Sequence, residues 1–174
     1  MKKAFLGILF LVFLFSGTRA YPQQGINVTA GIGLPELINL GLRVQFNQTQ
    51  LGFSVGTFPD PVEDIYSLAA DYYYHFGGSS EFTDLRPWFF KAGLEYSKSE
   101  TEWEEVSYLF LVPRVGREFN ISERFAIALE AGIFVILSEK EKEKRDSPES
   151  IWNFEFDFTG SVLPAAGLNL IYRF

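Results

Sequence analysis

From Gly25 to Phe174 the chain alternates large apolar residues with small or polar ones at a period of two. Such a period sends successive side chains to opposite faces of an extended strand, whereas a helix would repeat near 3.6 residues. In the clearest segment Leu40, Leu42, Val44 and Phe46 share one face, and Gly41, Arg43, Gln45 and Asn47 share the other. The same pattern runs through Ile26 to Gly33, Leu51 to Gly56, Leu68 to Phe76, Trp88 to Ser97, Phe125 to Ile133 and Gly167 to Phe174. An eighth segment, Ser107 to Phe119, is continuously apolar from Tyr108 to Val112 before it meets Pro113 and alternates again. A bulge is expected at Pro113, because proline cannot donate to a strand ladder.

The connections fall into two classes. Asn47 to Gln50, Gly77 to Arg86 and Asn120 to Glu123 join alternate pairs of strands at one end. Pro35 to Asn39, Asp60 to Ile65, Lys98 to Val106 and a long segment from about Lys140 join them at the other, gathering charge along the chain. Eight strands with mostly tight turns at one end and longer loops at the other predict an all-β, eight-stranded antiparallel up-and-down barrel. No helical period interrupts it and no linker divides it, so residues 21–174 are expected to form one domain.

Residues 1–20 read differently. Lys2 and Lys3 precede an apolar run from Ala4 to Phe15, and small residues follow at Thr18 and Ala20. This is the layout of a cleaved secretory signal peptide. Twelve residues of helix reach roughly 18 Å, short of the ~30 Å hydrocarbon core, which disfavours a membrane anchor. Loss of Lys2, Lys3 and Arg19 would move the net charge from −7 to −10. An acidic chain makes nucleic acid an unsuitable partner. The absence of Cys excludes disulfides and thiolate metal sites, and one His argues against a His-based metal site. No cofactor is expected.

Alternation alone does not say which face is inside. Gly31, Gly41, Gly52, Gly56, Gly93, Gly116, Gly132 and Gly167 all lie on the polar face. A barrel of eight strands has little room within, so small residues belong to its inner surface. Aromatic residues gather near strand ends, as in Tyr72 to Tyr74, Trp88, Phe90, Tyr96, Tyr172 and Phe174. Rings with one wet edge favour a membrane interface. The reading is a transmembrane barrel with its apolar face toward lipid. Arg43, Asp71, Lys91, Glu95, Arg114, Glu118 and Glu130 would then form a polar network in the lumen.

The ending Gly167-Leu168-Asn169-Leu170-Ile171-Tyr172-Arg173-Phe174 resembles the last strand of bacterial outer-membrane barrels. The whole of 21–174 resembles the small OmpA/OmpX-type barrel domains in pattern. In the C-terminal signature of that class Gly would fall at Asn169, and here it stands at Gly167. The resemblance implies a Gram-negative outer membrane, contact with its lipids and lipopolysaccharide, and a porin-like architecture. It also implies recognition of Tyr172 and Phe174 by the barrel-assembly machinery.

Chemical motifs are sparse. Gly52-Phe53-Ser54-Val55-Gly56 matches the nucleophile-elbow string, with Asp71 and His75 following, but that motif needs a strand-to-helix turn. A hairpin folding near Val62-Glu63 would set Ser54 opposite Asp71 and leave His75 about 13 Å away, too far for a base. Known lipid A deacylase barrels place His and Ser two residues apart, whereas this chain reads His75-Phe76-Gly77. Seven mixed charges in a narrow bore are expected to pair with one another instead of lining a channel. Glu139 to Asp146 alternates in sign and reads as a solvated loop; Trp152, Phe154, Phe156 and Phe158 beyond it form a candidate surface contact for another protein or a glycan. The expectation is a non-enzymatic envelope protein with a structural or surface-interaction role. The alternatives are a lipid A-modifying barrel enzyme, a narrow channel and a soluble lipocalin-like binding protein.

Overall fold

The computed structural model describes residues 25–60, 63–101, 103–143 and 160–174. The segment 1–20 and the aromatics Trp152, Phe154, Phe156 and Phe158 lie outside the described residues. Eight strands are present: β1 (Ile26–Leu34), β2 (Leu37–Phe46), β3 (Thr49–Pro59), β4 (Asp64–Gly77), β5 (Trp88–Glu100), β6 (Glu104–Asn120), β7 (Phe125–Glu143) and β8 (Val162–Arg173). Each pairs antiparallel with the next, and β1 pairs with β8 to close the barrel. Asn27 faces Arg173 across that seam, so the first and last strands share one rim, here the terminal rim. The opposite end is the loop rim.

The two faces separate as the alternation requires. Phe53 is 67% exposed and Leu170 57%, while Arg43 and Glu130 are 3% and 5% exposed. Leu42, Leu94, Leu129 and Ile133 are also exposed. A water-soluble barrel inverts this distribution, and the lipocalin-like alternative fails on that ground. The distribution is that of a transmembrane barrel, with ionised groups within and an apolar belt without.

The connections expected at Asp60 to Ile65 and Lys98 to Val106 are shorter, because β4 starts at Asp64, β5 runs to Glu100 and β6 starts at Glu104, and four other local expectations need correction. The first loop-rim connection is not Pro35 to Asn39: β2 already starts at Leu37, leaving Pro35 and Glu36 between the strands. Gly33 pairs directly with Leu37, whose φ of 63° lets the chain reverse that tightly. The irregularity in β6 falls between Leu109 and Phe110 instead of at Pro113. There Leu109 faces Ser138 and Phe110 faces Ile136, so Leu137 is the extra residue. Pro113 stays in register opposite Ala92 on β5. Third, β7 does not stop near Lys140 but runs to Glu143, so Glu139 to Glu143 is strand and pairs with Glu104 to Tyr108. Finally, Gly52 faces Asp71 and Ser54 faces Ala69, because the β3–β4 hairpin turns one residue earlier than expected.

Candidate functional site

The bore of the barrel holds most of the chain's buried ionisable groups. Arg43 on β2, Asp71 on β4, Lys91 and Glu95 on β5, Arg114 and Glu118 on β6 and Glu130 on β7 are all buried there. Each sits on the small-residue face of its strand. Glycine makes the space: a Cβ at Gly93 would run into the Asp71 carboxylate, and one at Gly116 into the Phe89 ring.

Two charge clusters form, one above the other. The upper one centres on two cations. Lys91 Nζ donates to Glu36 Oε1 at 2.7 Å and to Glu130 Oε1 at 3.3 Å, and lies 3.4 Å from Asp71 Oδ1. Arg114 donates from Nη1 to Glu130 Oε1 at 2.7 Å and from Nη2 to Glu36 Oε2 at 2.5 Å. Three carboxylates thus share two cations, which offsets much of the cost of removing all five charges from water. The lower cluster joins Glu118 to Arg173 at 2.5 Å and to Arg43 at 3.7 Å. Arg173 also donates to Asn120 Oδ1 at 2.7 Å. Tyr73 links the two levels: its ring lies 4.1 Å from the Arg43 guanidinium carbon, and its hydroxyl donates to Asp71 Oδ2 at 3.3 Å.

Glu36, Tyr73 and Arg173 were not among the seven predicted network members. Arg173 and Tyr73 lie on inward-facing positions that the alternation had marked. Glu36 carries no such signal, because it belongs to a turn. The β1–β2 turn folds into the bore: Pro35 and Glu36 are buried, Ser67 donates to the Glu36 carbonyl at 3.2 Å, and Arg114 donates to the Leu34 carbonyl. Glu95 departs from the expectation of full pairing. It is 1% exposed, and neither carboxylate oxygen has a hydrogen-bond partner among the described residues.

The rest of the bore is filled by apolar groups and by uncharged polar ones such as Asn27, Gln50 and Asn169. Tyr73, Phe89, Ala126, Ala128 and Ile171 pack together toward the terminal rim. Phe110, Val112, Ile136 and Ala165 pack higher up, with Tyr108 and Phe134 against them. The space left around the upper charge cluster is about 10 Å³, room for roughly one water molecule. His75 is buried at the terminal rim, its ring 5.3 Å from that of Phe89 and its Nδ1 2.6 Å from the Arg86 carbonyl. Ser54 stands in the middle of β3, with no helix after it among the described residues. No group of three or more His, Cys, Asp or Glu among the described residues is arranged to hold a metal ion.

The fold and its inverted faces define a class: small, closed, eight-stranded antiparallel barrels of the OmpA type. Within that class the chain is similar to the N-terminal β-barrel domain of Pseudomonas aeruginosa OprF, with a TM-score of 0.52 and 15% identity. The match covers 87% of this chain and 98% of that domain. At this identity the likeness is one of fold. No family model and no curated protein matches the sequence.

Proposed function

We propose that the chain is a bacterial outer-membrane barrel with a non-enzymatic structural role, built to sit among lipids and lipopolysaccharide. The inversion of its faces carries this reading: buried ions fill the bore while Leu40, Phe53, Val55 and Leu170 stand exposed outside. The signal-peptide layout of residues 1–20 and the terminal aromatic pair Tyr172 and Phe174 support export and delivery to the assembly machinery. The filled bore supports a closed plug over a channel. A role for Trp152, Phe154, Phe156 and Phe158 in surface contact rests on their spacing.

The test is fractionation of cells expressing the full chain, with heat-modifiable gel migration as the readout of the folded barrel. Recovery with outer membranes, with the unheated band migrating faster than the boiled one, is the expected result. Recovery of the mature protein in the soluble fraction would refute the reading. In planar bilayers the folded protein should give no stable open level.

A further inference from the structure

The apolar belt is bracketed by cations at two heights, and the upper set points to a ligand. At the terminal rim, Arg117 faces Trp88, and its guanidinium lies 5.4 Å from the Trp88 ring and 5.1 Å from that of Phe119. Ten residues along β5 from Trp88 stands Lys98, on the same outward face. The outward positions between them, Phe90, Ala92, Leu94 and Tyr96, carry no charge. Ten residues at ~3.3 Å, tilted by about 40°, rise roughly 25 Å, the height of the apolar band in such barrels. Lys98 therefore stands at the level of the outer-leaflet headgroups.

Two more cations join it there because of the bulge. Up to Val135 the outward residues of β7 are odd-numbered. With Leu137 as the extra residue, Ser138 faces outward-pointing Leu109, Lys140 faces Ser107, and Lys142 faces Glu105. Directly paired residues of an antiparallel ladder project to one side. The alternating run of Glu and Lys is thus sorted by face: Lys140 and Lys142 outward, Glu139 and Glu141 opposite Tyr108 and Val106 on the inner side. Counted without the bulge, the assignment would be reversed. Lys98 is held by Glu105 at 2.9 Å and Glu100 at 3.3 Å. Lys140 and Lys142 have no ion pair among the described residues. Two residues apart on one strand, they are separated by about 6.6 Å, a span that two ammonium groups can close around one phosphate.

We infer that Lys140 and Lys142, backed by Lys98, form a clamp for the phosphate groups of an outer-leaflet glycolipid. The inference rests on the outer-membrane reading and gives it a specific lipid contact. The neighbouring Glu100, Glu105 and Asp64 limit the patch to a local site and keep it from being a general anion surface.

The test uses the folded mature chain in neutral detergent, titrated with bisphosphorylated lipid A and with its dephosphorylated form, the bound lipid being counted by native mass spectrometry. The phosphorylated form should bind more tightly. Replacing both Lys140→Ser and Lys142→Ser should weaken it by about thirtyfold, from the attraction of roughly two surface cations. Glu139→Gln with Glu141→Gln, on the inner face, should leave binding unchanged. Equal binding of the two lipids, or no loss in the double lysine variant, would overturn the inference. So would full competition by millimolar inorganic phosphate, which would show an anion site indifferent to lipid. Heat-modifiable migration reports folding of every variant. A wild-type chain lacking it would refute the barrel reading itself, a result distinct from a folded barrel indifferent to lipid phosphate.

Discussion

Glu130 and Glu95 are both buried carboxylates in the bore, yet their surroundings differ. Glu130 accepts from Arg114 at 2.7 Å and Lys91 at 3.3 Å, whereas Glu95 has no hydrogen-bond partner among the described residues. Removing one partner of a buried pair leaves the other charge uncompensated, so Glu130→Gln should destabilise the barrel by about 3–5 kcal/mol. Glu95→Gln breaks no hydrogen bond or ion pair and should leave stability equal or higher. Urea unfolding of each variant in vesicles checks both, and the contrast fails if the two lose stability equally. Size matters at the same scale. Gly116→Val would press a side chain into the Phe89 ring and should cost about 1–3 kcal/mol, read from the same unfolding curves. The inward position of all seven predicted ionisable residues was legible from parity together with the glycines that share their face. Glu36 was not, because a turn residue has no parity, and only the fold brings it to Lys91 and Arg114.

The β6–β7 pair shows what a single extra residue does to an element. Deleting Leu137 alone should close the bulge while keeping Ser138 opposite Leu109, so Lys140 and Lys142 stay outward. Deleting Leu137 with Ser138 should turn Glu139 and Glu141 outward and the lysines inward. Retention of bisphosphorylated lipid A should survive the first deletion and be lost in the second, with heat-modifiable migration kept in both. Equal retention in the two would mean that face does not matter. Pro113 was a reasonable place to expect the irregularity, since it lacks a donor. The register passes Pro113 unchanged, and the slip comes only beyond the Phe110–Ile136 pair, which together with Phe134 still holds the lower register. The β1–β2 turn departs from its local pattern in the same way: its proline reads as a loop breaker, but burial of Glu36 pulls the hairpin tight.

For the whole molecule, the distance between the Arg117 level and the Lys98 level sets the membrane it suits. Refolding yield should peak in vesicles with a hydrocarbon thickness of about 25 Å and fall in much thicker ones, since mismatch costs energy for every ångström. Yield by heat-modifiable migration across a series of acyl-chain lengths measures this, and a flat profile would contradict the assigned belt. The walls are uneven. β6 and β7 span 17 and 19 residues, β1 and β2 only 9 and 10, so the sheet stands tall on one side of the loop rim. The lysine clamp sits on that tall side.

Local pattern was enough for the number of strands, their up-and-down order and which side chains share a face up to the β7 bulge, because a period of two is a local property of an extended backbone. It could not say where the ladders slip, which turn enters the bore, or which charges meet there. Those outcomes depend on contacts between residues far apart in the chain: Glu36 finds Lys91 and Arg114, and Lys140 faces outward, only after the eight strands have closed on one another.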